Sequence, residues 1–381
     1  MTGARILIVV NAEWYFWSHR LAFARALRER GHDVVIAAAV ERGMGSRIEA
    51  DGFRFVQIPF VRGRLAALAD VRAWFALVRL YQEERPDLLY HTTIKPILYG
   101  SLAASVARLA RRVNAIPGLG QVFAPTSLSA RLRLWCVSTA YRLVFMGRRV
   151  RVIFQNDDDR RLFVEQRLVR AAQSIVIRGS GVNLSQFFPT PEPASAEPPI
   201  VVLASRLLWD KGVGELVEAS RRLKRMNVQC RTVIVGIPDV DNPRAVPVET
   251  LEAWQREGVV EWWGLRSDMP EVMSQSAVVV LPSYYPEGVP RILLEAAASG
   301  RPVVTTDAPG CRDAVRNGLS GLLVPPRDVE ALVLALSRLL VDPALRAAMG
   351  REGRKLAEEQ FSEARVVEET VAVCERLLAE A

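Results

Sequence analysis

The sequence predicts an α/β protein made of two doubly wound, parallel-sheet domains. Three observations carry this. Short apolar runs of strand length alternate with helix-like stretches along the 381 residues, the pattern of a parallel sheet covered on both faces. The alternation is interrupted by a polar run at 189–199 (PTPEPASAEPP), whose prolines prevent a helix. The charge balance changes there too: residues 1–190 hold 28 Lys and Arg against 14 Asp and Glu, and the remainder 22 against 28. The expected division is an N-terminal domain at 1–188, a linker at 189–199, a C-terminal domain at 200–360, and a last helix at 361–381 packing back toward the first domain.

In the first half, strands are expected at 5–10, 33–38, 53–58, 88–90, 112–116 and 151–154. Helices alternate with them: 18–30, ended by Gly31; a short one near 45–51; 70–84, closed by Pro86; 96–110, with small residues on one face; 127–146; and 157–167. Residues 11–20 (NAEWYFWSHR) are expected as a bulky loop after the first strand. The second half restarts with strands at 200–204, 231–235, 259–263, 277–281, 303–304 and 322–324. Its helices are expected at 212–225, 248–257, 268–275, after Pro290, and at 328–340, 343–360 and 362–380. Ligands of such sheets bind outside the carboxyl ends of the strands.

The net charge of +8 is concentrated in the first half. A basic half fits either nucleic acid or an anionic membrane surface. No nucleic-acid-binding motif is present, so the membrane is favoured and no nucleic-acid partner is expected. Four cysteines without paired spacing read as buried free thiols of a reducing compartment. With only three histidines in the chain, a His-based metal cluster is not expected. Asp157–Asp159 follow Asn156 at a helix start, where caps and early acids are favoured; metal-independent chemistry without a cofactor is expected. No signal-like segment precedes the first strand. No apolar run reaches the ~18 residues of a membrane span. The expected location is cytoplasmic, peripheral on the inner face of the membrane.

The chemistry is concentrated at Glu287-Gly288-Val289-Pro290-Arg291-Ile292-Leu293-Leu294-Glu295. A strand precedes it, Gly300-Arg301-Pro302 stops the helix after it, and an acid stands at each end. A helix amino end holds phosphate through its N–H groups and dipole, and flanking carboxylates can grip hydroxyls on either side. Sugar, diphosphate and ribose have that layout. Arg206 and Lys211, in a strand-to-helix loop (SRLLWDKG), would bring positive charge to a departing diphosphate.

The segment SYYPEGVPRILLEAAASGRPVVTTDAPG closely resembles the E-x7-E segment of the family 4 glycosyltransferases, which have the GT-B fold, and Arg206 and Lys211 resemble that family's R-x4-K pair. The resemblance implies two domains facing across a cleft and a retaining transfer from a nucleotide-sugar, expected to be UDP-linked. It implies that Glu287 is catalytic and faces the sugar, that Glu295 binds ribose, and that Gly288, Val289 and Pro290 hold the diphosphate with Arg206 and Lys211. VIVG, ending at Gly236, and EWWGLRSDMP, with Leu265 and Arg266, resemble the segments around the base.

His91 directly follows the strand at 88–90, where an exposed side chain would look toward the ligand. HTTIKPILYG and VNAIPGLG resemble segments of family 4 enzymes acting on undecaprenyl-diphosphate-linked acceptors. This implies a catalytic His91 near the sugar and an acceptor region with Trp14, His19, Lys95, Gly118 and Gly120. Helix 127–146 (SLSARLRLWCVSTAYRLVFM) mixes bulky apolar residues with Arg131, Arg133 and Arg142, a composition suited either to a membrane surface or to a core helix with a basic outer side. The expected partners are a nucleotide-sugar, a lipid-linked saccharide and an anionic membrane. Two alternatives stay open: a nucleotide-sugar epimerase or hydrolase of the same fold, and a non-catalytic nucleotide-sugar-binding subunit.

Overall fold

Strand β1 (Arg5–Val9) turns Ile6 and Ile8 to one side and Leu7 and Val9 to the other, and all four are fully buried. They enter two separate apolar clusters, so helices cover the sheet on both faces, as parallel sheets require. The computed structural model describes residues 3–61, 67–123, 127–192, 198–239 and 242–380; part of the Pro-rich stretch, 193–197, lies outside them.

The chain forms two units, Met1–Ser180 with Ala364–Ala381, and Gly181–Glu363. The first contains β1, α1 (Glu13–His19), α2 (Leu21–Glu29), β2 (Asp33–Ala38), α3 (Gly45–Ala50), β3 (Arg54–Gln57), α4 (Ala67–Glu84), β4 (Leu88–Thr92), α5 (Ile94–Val106), β5 (Arg112–Ile116), α6 (Leu128–Val144), β6 (Val150–Phe154), α7 (Asp157–Glu165) and β7 (Ser174–Val176). Its seven strands are parallel, in the order β3-β2-β1-β4-β5-β6-β7. The order reverses between β1 and β4, which marks the crevice of a doubly wound sheet.

The second unit contains β8 (Ile200–Ala204), α8 (Val213–Arg225), β9 (Arg231–Val235), α9 (Val248–Arg256), β10 (Glu261–Trp262), α10 (Met269–Gln275), β11 (Val278–Leu281), α11 (Arg291–Ala298), β12 (Val303–Thr306), β13 (Gly321–Val324), α12 (Val329–Val341) and α13 (Pro343–Leu356). Its six strands are also parallel, ordered β10-β9-β8-β11-β12-β13. Residues 181–192 belong to this unit: Val182 and Phe187 join its core, and Glu192 pairs with Arg346.

The last helix, α14 (Glu363–Ala379), buries Val366, Val371, Cys374 and Leu377 in the first unit's core. Arg111 donates to the Leu377 and Glu380 carbonyls at its end. Leu377 is fully buried, so Leu377→Ala is expected to cost about 2–5 kcal/mol through lost burial and a residual cavity, read as a lower denaturation midpoint.

Three expectations need correction. Residues 11–20 are largely helical rather than a loop, because Phe16 is buried and the Glu13 carboxylate accepts the Glu41 and Arg42 amides. Strand β7, only three residues long, is an element that composition did not reveal. Cys136 is exposed, whereas Cys311 and Cys374 are buried free thiols.

Candidate functional site

In the second unit, the expected donor residues follow the carboxyl ends of β8, β9, β10 and β11. Gly212 has φ +77°, and a Cβ there would lie 2.2 Å from the Pro282 carbonyl oxygen. That close approach brings the β8 loop against the β11 loop. Lys211 consequently forms an ion pair with Glu287, and both side chains are about nine-tenths buried. Ser283 Oγ lies 3.0 Å from Glu287 Oε1, and Lys211 Nζ sits 5.3 Å from the centre of the Tyr285 ring. Thr306 donates to the Ser283 carbonyl, which ties this loop to the end of β12.

Glu287 lies in the loop and Glu295 inside α11, eight positions on. Glu295 is buried and accepts from Arg291 Nε at 2.8 Å, one turn earlier. Burial pushes its carboxyl above the ordinary value, and the Arg291 guanidinium partly opposes this. Gly288, Val289 and Pro290 are buried just before the helix, whose first N–H groups have no intrahelical acceptors.

Arg206 does not join the Lys211–Glu287 pair; its Nη1 donates to Asp239 at 2.9 Å. Asp210 is held by Arg244 instead. The base-side residues are likewise braced. The Gly236 amide donates to the Gly264 carbonyl at 2.7 Å, and the Trp262 indole to the Gly236 carbonyl at 2.8 Å. Arg266 lies over Trp263 and pairs with Asp268, while the Leu265 side chain is exposed. The sequence reading missed Ser283, Asp239 and Arg244, although Ser283 stands four residues before Glu287 and Asp239 three after Gly236.

In the first unit, His91 is not the exposed strand-end group expected. It is fully buried, with Nδ1 3.0 Å from Asn114 Oδ1 and Nε2 2.9 Å from the Tyr81 hydroxyl. The register pairs His91 with Asn114 on β5, which puts these side chains side by side. Because Asn114 Oδ1 only accepts, Nδ1 carries the proton and Nε2 accepts from Tyr81. Burial lowers the imidazole to about 3, with the Asn114 bond opposing and Arg112 adding to the fall. His91 is therefore neutral at physiological pH and occupied on both nitrogens.

A pH prediction follows. The unfolded imidazole titrates near the usual 6.5 and the folded one near 3. The stabilising difference is present above about pH 6.5 and lost as pH falls toward 3, roughly 4 to 5 kcal/mol in all. Chemical denaturation across that window should show a shallower acid slope for His91→Gln than for the parent.

The expected acceptor residues are also engaged. Lys95 pairs with Asp70 at 2.7 Å and donates to the Val61 carbonyl, so its ammonium is already paired. The Trp14 indole donates to Glu41 at 2.8 Å. His19 stacks on Tyr15, with ring centres 4.5 Å apart. Gly118 and Gly120 have φ +140° and +64° in the loop after β5. Asn156 caps α7 through the Asp159 amide, and Asp157 pairs with Arg178. Among the described residues, no group of three or more His, Cys, Asp or Glu is placed to hold a metal.

Helix α6 leaves Leu128, Leu132, Trp135 and Leu143 exposed, with Met146 just beyond it, while Tyr141 and Val144 pack inward. Arg131, Arg133, Arg142 and Arg148 are exposed around that apolar row. Among the described residues, no helix is long and apolar enough to cross a membrane.

Two doubly wound parallel sheets, the second carrying a cation–carboxylate pair before a helix amino end, define a protein of the GT-B fold. Residues 5–156 match the family model described as glycosyl transferase 4-like, and residues 186–356 the model of glycosyl transferases group 1. The chain belongs to this family of glycosyltransferases. It is 27% identical to the N,N'-diacetylbacillosaminyl-diphospho-undecaprenol alpha-1,3-N-acetylgalactosaminyltransferase of Campylobacter jejuni, over 91% of this chain and 92% of that protein. It is 23% identical to the UDP-Gal:alpha-D-GlcNAc-diphosphoundecaprenol alpha-1,3-galactosyltransferase of Escherichia coli, over 77% of each. In fold it resembles Anabaena HepE, crystallised in complex with UDP and glucose, with a TM-score of 0.80 at 21% identity over 98% of this chain and 100% of the other.

Proposed function

We propose that this glycosyltransferase moves a hexose or N-acetylhexosamine from a UDP-sugar to a polyprenyl-diphosphate-linked saccharide in the assembly of a surface glycan, with retention and without a metal. The observation that carries this reading is the buried Lys211–Glu287 pair immediately before α11. A lysine held by a carboxylate is pre-oriented, so little reorganisation remains when phosphate oxygens arrive. In this reading, Lys211 and the α11 amino end take up charge as the sugar–phosphate bond breaks. Arg206 is released from Asp239 to the diphosphate. Glu287, freed from Lys211, orients the sugar hydroxyls. Glu295 accepts the ribose hydroxyls, with Arg291 as its brace. The acceptor hydroxyl attacks on the face the diphosphate leaves, and its proton passes to the departing diphosphate oxygen. His91 makes no contact with substrate and serves to fix β4 against β5. The names of the Campylobacter and Escherichia relatives, both with diphospho-undecaprenol acceptors, support the choice of acceptor.

The test is incubation with a panel of nucleotide-sugars and polyprenyl-diphosphate saccharides, scored by mass. A single added hexose or N-acetylhexosamine is expected. Donor hydrolysis without transfer would favour the epimerase or hydrolase reading, and no consumption of any donor would overturn the enzyme assignment.

The enzyme acts, on this proposal, at the cytoplasmic face of the membrane, held by α6. The exposed row Leu128, Leu132, Trp135 and Leu143 with flanking arginines suits an anionic interface, in which apolar burial and charge attraction add. Leu132→Glu with Trp135→Glu should weaken sedimentation with anionic vesicles by about tenfold or more. Turnover of a short-chain soluble acceptor should be unchanged.

A further inference from the structure

We propose that Arg20 is an oxyanion site of the first unit and takes one oxygen of a diphosphate. Arg20 lies between α1 and α2 and is only 6% exposed. Its Nη1 donates to the His19 carbonyl at 3.1 Å, while its Nε is buried without a hydrogen-bond partner. No carboxylate among the described residues forms an ion pair with it. Lys211 and Arg346, comparably buried, each hold a glutamate.

The neighbours of Arg20 are tyrosines. Its guanidinium carbon stands 5.9 Å from the centre of the Tyr90 ring, and the Tyr15 hydroxyl is another buried group with no partner. A neutral phenol ring attracts a cation weakly and leaves the guanidinium fork unfilled. A buried cation without an anion is costly, and an oxyanion would offset that cost through charge-assisted hydrogen bonds.

The position fits a ligand. Arg20 lines a cavity of about 10 Å³ with Gln155, Gly179 and Thr370, beside the carboxyl ends of β5 and β6. That volume admits one oxygen-sized atom, so the remainder of the diphosphate stays outside. The first 190 residues carry 28 Lys and Arg against 14 Asp and Glu, a field that draws a multiply charged anion. The proposal rests on the transferase reading only for the bearer of the diphosphate, either the lipid acceptor or the nucleotide donor.

The probe is inorganic pyrophosphate, titrated calorimetrically into the full chain. Lys211→Met with Arg206→Met is used as background to remove the cations of the second unit's diphosphate site. In that background one pyrophosphate site is expected to remain, and adding Arg20→Met should weaken it by about tenfold or more. Equal affinity with and without Arg20 overturns the proposal. Without anion, Arg20→Met should melt at or above its background, because an uncompensated charge is removed. If it fails to fold, Arg20→Lys is read instead: it keeps the charge without the fork, and pyrophosphate affinity unchanged by it also overturns the proposal. Kinetics of Arg20→Lys name the bearer, a raised KM for the lipid acceptor alone marking the acceptor and for the nucleotide-sugar alone the donor. A parent protein that transfers no sugar sinks the transferase reading, while the pyrophosphate titration still decides Arg20.

Discussion

Lys211→Met is expected to lower kcat for sugar transfer by roughly 100- to 1,000-fold, the usual effect of losing a pre-positioned group that stabilises developing charge. The same substitution is expected to destabilise the second unit. It leaves the Glu287 carboxylate buried, with the Ser283 hydroxyl still against it, and removing one member of a buried pair typically costs about 3–5 kcal/mol. Glu287→Gln should destabilise for the mirror reason, leaving the ammonium uncompensated. The double variant Lys211→Met with Glu287→Met separates the two effects, since replacing both members by apolar groups of similar size is often neutral. Chemical denaturation should show recovery in the double variant, whereas transfer stays lost. Normal transfer by Lys211→Met would move the chemistry elsewhere. A double variant as unstable as either single would mean that the pair acts through packing rather than charge.

The strand–helix alternation could be read because sheets buried on both faces need continuous apolar runs. Ile6 through Val10 are all fully buried, and they look exactly as apolar in sequence as they are enclosed in the fold. Helix α1 could not be read, since its sequence EWYFWSH is crowded with aromatics and no side chain caps it. What holds it is tertiary: Phe16 against Phe53, and Glu13 under the Glu41 and Arg42 amides. The burial of His91 could not be read for a similar reason. Its burial depends on Tyr81 from the preceding helix and on register with Asn114, neither of which spacing along the chain discloses.

For the site, the acids at 287 and 295 and the cations at 206 and 211 could be picked out as residues, but not paired. Lys211 reaches Glu287 across 76 positions and Arg206 reaches Asp239 across 33. Those pairings depend on which strands are neighbours. β8 lies between β9 and β11, so the loop after β8 can send Arg206 to the β9 side and Lys211 to the β11 side. The local sequence specifies a basic loop, and sheet order determines what each cation meets.

That dependence on backbone approach makes Gly310→Ala the second large effect expected. Gly310 has φ +78°, and an added Cβ would lie 1.5 Å from the Gly288 carbonyl oxygen and 2.7 Å from that of Glu287. No side-chain rotation relieves a contact between a Cβ and a backbone oxygen, so one of the two loops must move. The Gly310 amide also donates to Asp313 Oδ2 at 3.1 Å, and Cys311 next to it is fully buried, which pins the 310 side. The 287–290 loop is therefore the part expected to shift, carrying Glu287 away from Lys211. Left-handed backbone strain and the displaced loop together should cost roughly 3 kcal/mol or more. UDP affinity should fall by at least about tenfold, the equivalent of one lost charge-assisted contact. Gly318→Ala serves as the control: its φ is +77° but a Cβ there meets nothing within 4 Å. It shares the backbone strain without the collision, so comparable UDP binding in the two variants would show that the loop contact is not what positions the diphosphate.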